Sequence, residues 1–483
     1  MSLTTTAIKG VTWTSISTII RSIVQLFQVA ILTRYVDKSD FGLIAISTLF
    51  LGFTQIFLDL GISAGILHKK DISIQQYSTL FWLNIILGIF LTSILSGLSF
   101  IIAQFYKEPE LTKIIIILSL TVFFSSIGNL HRTVQQKKMR FKEISIIEII
   151  ASILTFILAT TMAVNNFGVY SLVFSSLFHV ASINIFFLMI GIYKDKNIMM
   201  HFCIKEVYSF FKIGIFSVGS QILDYISREI DIIIISSTLS KEYIGLYSLC
   251  KKIIHTLYNA INPILIKVLT PLLANIQQEK ERVRIVYYKI IESLAFVNYP
   301  IYILIAIFSH GILNFLYGTQ YTDGSIPLTL LALLYGFNST SNPVGSLQIA
   351  MGYTNLGFYW TIIRIFTNTI GILIGCIHGI NGLVLSLFIV TIIVDPLFWR
   401  ITIYNIIGGH YIEYLKKTLY IFVRSCIIAI PFYYVSYNLK SVLICLILGL
   451  VYLIIYVIFV KTKYSQSYLV KQIITGINTK LSL

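Results

Sequence analysis

Apolar runs long enough to cross a bilayer follow one another along almost the whole chain, and this feature limits the fold more than any other. A spanning helix needs ~20 mostly apolar residues, because inside lipid the backbone has no water to bond with. Fourteen such runs begin near Thr12, Phe41, Tyr77, Leu111, Ile144, Val169, Tyr208, Tyr243, Ile290, Ile326, Phe358, Ile380, Thr418 and Ser441. Several breaks between them carry turn chemistry, such as Asn165-Asn166-Phe167-Gly168 and His378-Gly379-Ile380-Asn381-Gly382. Composition excludes a soluble alternative: of 483 residues 57% are hydrophobic and 12% charged, where a soluble domain carries about 25% charged residues. The expectation is an all-α polytopic membrane protein of about 14 transmembrane helices. Its five cysteines (Cys203, Cys250, Cys376, Cys426, Cys445) form no Cys-x-x-Cys pair and suggest neither a disulfide framework nor a zinc site.

The formal net charge of +16 would suggest nucleic acid in a soluble protein. Here its distribution gives a better account. With fourteen alternating spans, 22 of the 36 Lys and Arg fall on the side of the N-terminus and 6 on the other. The positive-inside rule then places both termini in the cytoplasm, and no nucleic-acid partner is expected. The first apolar segment carries Arg21 and is followed by no small-residue cleavage site, so it reads as the first span rather than a signal peptide. The basic run Gln135 to Lys142 is explained by topology, with binding of anionic lipid as the alternative.

The chain repeats itself at an offset of 203 residues. Asp37-Lys38-Ser39-Asp40-Phe41-Gly42-Leu43 after the first span matches Ser240-Lys241-Glu242-Tyr243-Ile244-Gly245-Leu246 after the seventh. Thr14, Thr18, Arg21, Gln25 and Gln28 step by 4, 3, 4, 3 along one helical face, and Ser217, Gln221, Asp224, Arg228 and Asp231 do so at the same offset. Six spans separate the copies, so both have the same orientation. Parallel repeats imply two six-helix bundles, expected over residues 1–205 and 206–410, with two further helices and a cytoplasmic tail over 411–483. Arg21 and Asp224 should then face a central cavity from opposite bundles.

A charged residue at mid-membrane costs ~2.5–3.5 kcal/mol on insertion scales and normally faces a partner or a cavity. Candidates for an anion-holding cavity are Arg21, Arg228, Lys251, Lys252 and Arg364; candidates for ion coupling are Asp59, Asp224 and Asp231. Lys252, His255, Asn259 and Asn262 share one helical face. The alternative is internal salt bridging, for example Arg228 with Asp224 or Asp231. Asp59 is placed near the outer-to-middle part of its span, where structural hydrogen bonding and function are equally open. His179 and His255 are read as packing residues. Asp395 and Arg424 lie toward span ends, where snorkelling accounts for them. Asn262-Pro263 and Asn342-Pro343 read as kinks.

Nothing in the sequence points to an enzyme. There is no Gly-x-x-x-x-Gly-Lys-Ser/Thr phosphate loop, no His-Glu-x-x-His motif and no metal-ligand cluster, so no catalytic residue, metal or cofactor is expected. The longest external loop, about residues 310–325, is too short for a glycosyl-transferring or polymerising domain. A secondary transporter fits best.

Several stretches resemble the Wzx-type polysaccharide flippases of the multidrug/oligosaccharidyl-lipid/polysaccharide (MOP) superfamily, in particular exporters of the colanic acid kind. They are Leu32-Thr33-Arg34 through Phe41-Gly42-Leu43, Asp59-Leu60-Gly61-Ile62, Leu80-Phe81-Trp82-Leu83-Asn84, the Gln136–Phe141 loop and Asn342-Pro343-Val344-Gly345-Ser346. The resemblance implies a V-shaped, MATE-like two-bundle fold in the bacterial cytoplasmic membrane, working by alternating access. Its implied cargo is an undecaprenyl-diphosphate-linked oligosaccharide, flipped for capsule, O-antigen, lipopolysaccharide or exopolysaccharide biosynthesis. It also implies coupling to H+ or Na+ and partnership with a polysaccharide polymerase complex. Motif matching carries over Asp59 and Arg34 alone. A basic cavity suits a diphosphate, since Arg pairs bidentately with phosphate oxygens. The alternatives are a MATE-like cation or drug antiporter and a lipid II flippase. An antiporter cavity should be acidic, whereas spans one, two, seven, eight and eleven hold Arg21, Arg228, Lys251, Lys252 and Arg364 against Asp59, Asp224, Glu229 and Asp231.

Overall fold

The computed structural model describes residues 3–69, 72–195, 199–437 and 442–464, and among them helices are the only extended elements. In chain order they are α1 (Leu3–Leu32), α2 (Lys38–Asp59), α3 (Ile62–His68), α4 (Ile74–Tyr106), α5 (Glu110–Lys137), α6 (Phe141–Val164), α7 (Val169–Met189), α8 (Ile204–Thr238) and α9 (Lys241–Asn275). They continue as α10 (Lys280–Ile307), α11 (Ser309–Tyr317), α12 (Ser325–Ser341), α13 (Val344–Met351), α14 (Thr354–Cys376), α15 (Gly379–Trp399), α16 (Asn405–Ile407), α17 (Tyr411–Tyr437) and α18 (Val442–Tyr464). Every expected span falls on a helix. Among the described residues ten helices are long and apolar enough to cross a membrane. Of the four remaining expected spans, α8 and α9 carry the charged stripes, α12 is short, and in α18 the apolar stretch is Ile447–Ile458.

The outward faces confirm the solvent. Phe100, Phe105, Phe366 and Ile393 are each at least 65% exposed, which only a hydrocarbon surrounding makes favourable for so many large apolar groups. Local signals set the helix limits. Ser73 and Gln76 form a capping box that starts α4. Asn342-Pro343 separates α12 from α13, as a proline that cannot donate to the helix requires. The 310–325 segment is not an open loop: α11 and a 3-10 turn over Thr319–Gly324 occupy it, with Tyr317 and Tyr321 buried edge to face.

Compact packing divides the chain between Leu249 and Cys250, inside α9. In the first unit α4 packs on α5, α5 on α7, and α1 on α6, while α8 lies against α2, α3 and α4. Ile62, Ile66, Tyr77, Leu80, Phe81, Leu130, Val134, Val207 and Phe210 form a core joining α3, α4, α5 and α8. In the second unit α10 is central, packing on α12 and α17, and α14 pairs with α15. The C-terminal helices α17 and α18 join α10 through a core that includes Tyr299, Phe432 and Tyr452. The expected tail beyond Tyr464 lies outside the described residues.

The internal repeat has a physical counterpart in the first unit. A Cβ added to Gly42 would overlap the carbonyl oxygen of Lys241, and one added to Gly245 would overlap the carbonyl oxygen of Lys38. Gly42 and Gly245 are equivalent at offset 203, and so are Lys38 and Lys241. Residue i meets j and the equivalent of j meets the equivalent of i, which is how surfaces related by a two-fold axis meet. Lys241 Nζ also reaches Glu108 at 3.0 Å, and this bond raises the ammonium's pKa above its ordinary value. Arg21 on α1 and Asp224 on α8 fall in the same compact unit, where α8 packs on α2, α3 and α4.

Candidate functional site

The structure sorts the eight sequence-predicted residues into two sets. Arg21, Asp59, Asp224, Arg228 and Asp231 lie in the first unit, Lys251, Lys252 and Arg364 in the second.

Arg21 is not alone in its helix face. Its Nη1 stands 3.2 Å from Glu148 Oε2 on α6, and Arg132 Nη2 from α5 donates to Glu148 Oε1 at 2.7 Å. Glu148 is buried; the two arginine side chains keep 34% and 39% exposure. Two turns further along α6, Thr155 hydrogen-bonds His179 Nδ1 of α7 at 3.2 Å. The threonines of the α1 stripe turn back on their own helix: Thr18 Oγ1 donates to the Thr14 carbonyl at 2.8 Å and Thr14 Oγ1 to that of Gly10 at 3.0 Å. Arginine is therefore the group on that stripe with charge to offer. Neither Glu148 nor Arg132 was singled out from sequence. Arg132 lies inside α5, which runs on to Lys137. The signal for Glu148 was present, a single carboxylate in the run Ile146-Ile147-Glu148-Ile149-Ile150.

The acidic candidates differ in what they touch. Asp59 is the last residue of α2, about twenty residues from its start, at the end of that helix rather than midway along it. Leu60 and Gly61 follow in the left-handed region, with φ of 41° and 72°, and turn the chain into α3. Asp59 accepts from the Ser63 backbone N–H at 3.2 Å and from the Ser63 hydroxyl, so it caps α3. Asp231 is buried and accepts from Tyr247 Oη and from the Ile232 N–H, tying α8 to α9. Asp224 is exposed.

Arg228, also exposed, pairs with Glu229 at 3.1 Å and stands 5.5 Å from the Tyr225 ring. Its Nε donates to the adjacent Glu229, and Tyr247 donates to Asp231. In the second unit Lys251 is buried and Lys252 half-buried. One turn beyond, His255 Nε2 and Tyr335 Oη are 2.8 Å apart, and Tyr258 completes a cluster with ring centroids 5.2 to 6.5 Å apart. Arg364, exposed on α14, is close enough to Tyr258 to interact electrostatically. Asp395 does not snorkel: it is buried and accepts from Tyr411 Oη at 2.9 Å. Arg424 rests over the Tyr420 ring at 4.1 Å. No group of three His, Cys, Asp or Glu suited to a metal occurs among the described residues.

A family model described as "Polysaccharide biosynthesis protein" matches residues 31–327, more than half of the chain. The chain belongs to this family. Among the relatives of this polysaccharide biosynthesis protein, lipopolysaccharide biosynthesis protein WzxC of Escherichia coli K12 is 27% identical over 447 residues, covering 92% of this chain and 89% of WzxC. Teichuronic acid biosynthesis protein TuaB of Bacillus subtilis 168 is 29% identical over 360 residues, 74% of each chain. The resemblance to Wzx-type proteins drawn from the sequence holds. Among solved structures, lipid II flippase MurJ in an inward closed conformation superposes with a TM-score of 0.74 at 16% identity, over 93% of this chain and 98% of MurJ. An inward-facing MATE transporter of the MOP superfamily superposes at 0.61 with 12% identity, over 84% and 95%. At these identities the likeness establishes the fold, which is that of the MOP superfamily.

Proposed function

We propose that this protein flips a polyprenyl-diphosphate-linked oligosaccharide across the bacterial cytoplasmic membrane by alternating access, for assembly of a surface polysaccharide. The observation that carries the reading is near-full-length similarity to WzxC, a protein of lipopolysaccharide biosynthesis, within a family of polysaccharide biosynthesis proteins. The charged residues support it. Arg21 and Arg228, with Lys251, Lys252 and Arg364, offer cations in otherwise apolar helices, as an oligophosphate headgroup crossing lipid requires. Two six-helix repeats, residues 1–205 and 206–410, carry the alternating access. Transport is coupled to H+ or Na+. Asp224 is the acidic candidate best suited to exchange an ion, since Asp59 and Asp231 are committed to hydrogen bonds within the fold. A polysaccharide polymerase complex receives the flipped unit.

Deletion tests the reading. Loss of one surface polysaccharide in a viable cell, with lipid-linked oligosaccharide accumulating, is the expected outcome. Death with accumulating lipid II would replace it by peptidoglycan precursor flipping, the activity named for MurJ.

The charge bias gives a topological prediction. Reporters fused after Lys142 and after Gln277 should lie in the cytoplasm, and reporters after Lys107 and Asn165 outside. A fusion pair on the wrong sides breaks the alternation and with it the inferred span order.

A further inference from the structure

Arg21, Arg132 and Glu148 come from three different helices of the first unit and meet around one carboxylate. Each oxygen of Glu148 takes one arginine, at 3.2 and 2.7 Å. All three lie at similar depth. Arg132 is five residues before the end of α5 and Glu148 seven after the start of α6, which at 1.5 Å per residue puts both roughly 10 Å from the α5–α6 turn. Two features set the cluster apart from a salt bridge built only to hold helices together. Two guanidiniums share one carboxylate, so a positive charge is left over in a helix bundle surrounded by hydrocarbon, where an unbalanced charge is costly. The carboxylate is only 8% exposed, whereas the arginines reach the surface of the unit, and the buried Nε of Arg21 has no hydrogen-bond acceptor. Donor capacity and charge are both in excess.

We propose that Arg21 and Arg132 form an oxyanion site, that Glu148 is its resident occupant, and that a diphosphate displaces Glu148 when it binds. The inference rests on the flippase reading above and adds to it the residue that competes with the substrate. A diphosphate brings more than one negative charge and several acceptor oxygens in the geometry a guanidinium fork prefers, so it can take both arginines from a single carboxylate. The competition has a use in transport. A site with two free arginines would hold the headgroup tightly, and a carboxylate that recaptures them lets it leave. A ligand shifts an equilibrium only by its differential affinity for the two states, and Glu148 sets that difference here. His179, through Thr155, is the titratable group that faces the cluster from α7.

The test uses the purified full chain in neutral detergent, with inorganic pyrophosphate as the probe and isothermal titration as the readout. Glu148→Gln keeps the shape and removes the competing charge; it should bind pyrophosphate about tenfold tighter than the unaltered protein. Glu148→Asp, whose carboxylate is one methylene short, should fall between the two and serves if the Gln variant does not fold. Arg132→Ala should bind several-fold more weakly. Unchanged or weakened pyrophosphate binding in both Glu148 variants overturns the proposal. Absence of binding in every form, with the deletion phenotype intact, also overturns it and leaves the flippase reading standing. Mixed micelles of phosphatidylglycerol distinguish the source of the anion: failure to displace pyrophosphate supports a diphosphate site, and equal competition overturns it in favour of a lipid headgroup.

Discussion

Gly42→Leu and Gly245→Leu should each remove most of the folded protein from the membrane. At both positions the obstacle is a backbone carbonyl oxygen, of Lys241 and of Lys38, which cannot rotate away as a side chain would. Relief requires the starts of α2 and α9 to separate, and with them the seat of α8 on α2. Overpacking at a yielding site costs ~1–3 kcal/mol; a rigid one should cost more. Even alanine should lower the level of each variant and its midpoint of thermal unfolding in detergent. Gly97 is the internal control, because a Cβ there meets nothing within 4 Å, and Gly97→Ala should be silent. The two glycines share one contact, so the double variant should be less damaging than the sum of the singles. Normal membrane levels of Gly42→Ala and Gly245→Ala would show that the helices do not cross as closely as described.

Arg21→Ala should cut export of the surface polysaccharide at least ~10-fold while leaving the protein in the membrane. Glu148 keeps Arg132 as a partner in that variant, so the buried carboxylate is not stranded. Removing both arginines is different. It leaves a buried charge unpaired, which typically costs ~3–5 kcal/mol, and the double variant should be lost from the membrane. Arg21→Lys keeps the charge but loses the fork and should export better than Arg21→Ala. Arg228→Ala should also lower export at near-normal protein level, since its side chain is exposed and its partner Glu229 is the adjacent residue. Quantifying surface polysaccharide against membrane protein level separates these cases. Normal export by Arg21→Ala would remove the residue from the substrate path.

Much of the fold is written plainly in the sequence, because lipid imposes a length and a polarity on every span. The Phe41-Gly42-Leu43 and Ile244-Gly245-Leu246 match is equally legible, and it marks a place where two backbones touch. The charged constellation is not. Residues 21, 132 and 148 share no periodicity, since each lies on its own helix. Arg132 sits in the polar stretch from His131 to Lys137, which looks like a loop and is the last two turns of α5. The Arg228–Glu229 contact joins neighbours in the chain, a spacing that helical periodicity does not select. The role of Asp59 depends on Leu60 holding a left-handed conformation, which composition and periodicity do not reveal in a leucine.

The central claim is tested most directly in vesicles holding the purified protein and a fluorescent oligosaccharide diphosphopolyprenol placed in both leaflets. A membrane-impermeant reagent that destroys the label from outside reads the outer leaflet alone. The account predicts that signal loss proceeds past half to near completion with the protein and stops near half without it, and that Arg21→Ala slows the second phase by about tenfold. Signal loss that stops at half in vesicles containing correctly folded protein, whatever ion gradient is imposed, would contradict it.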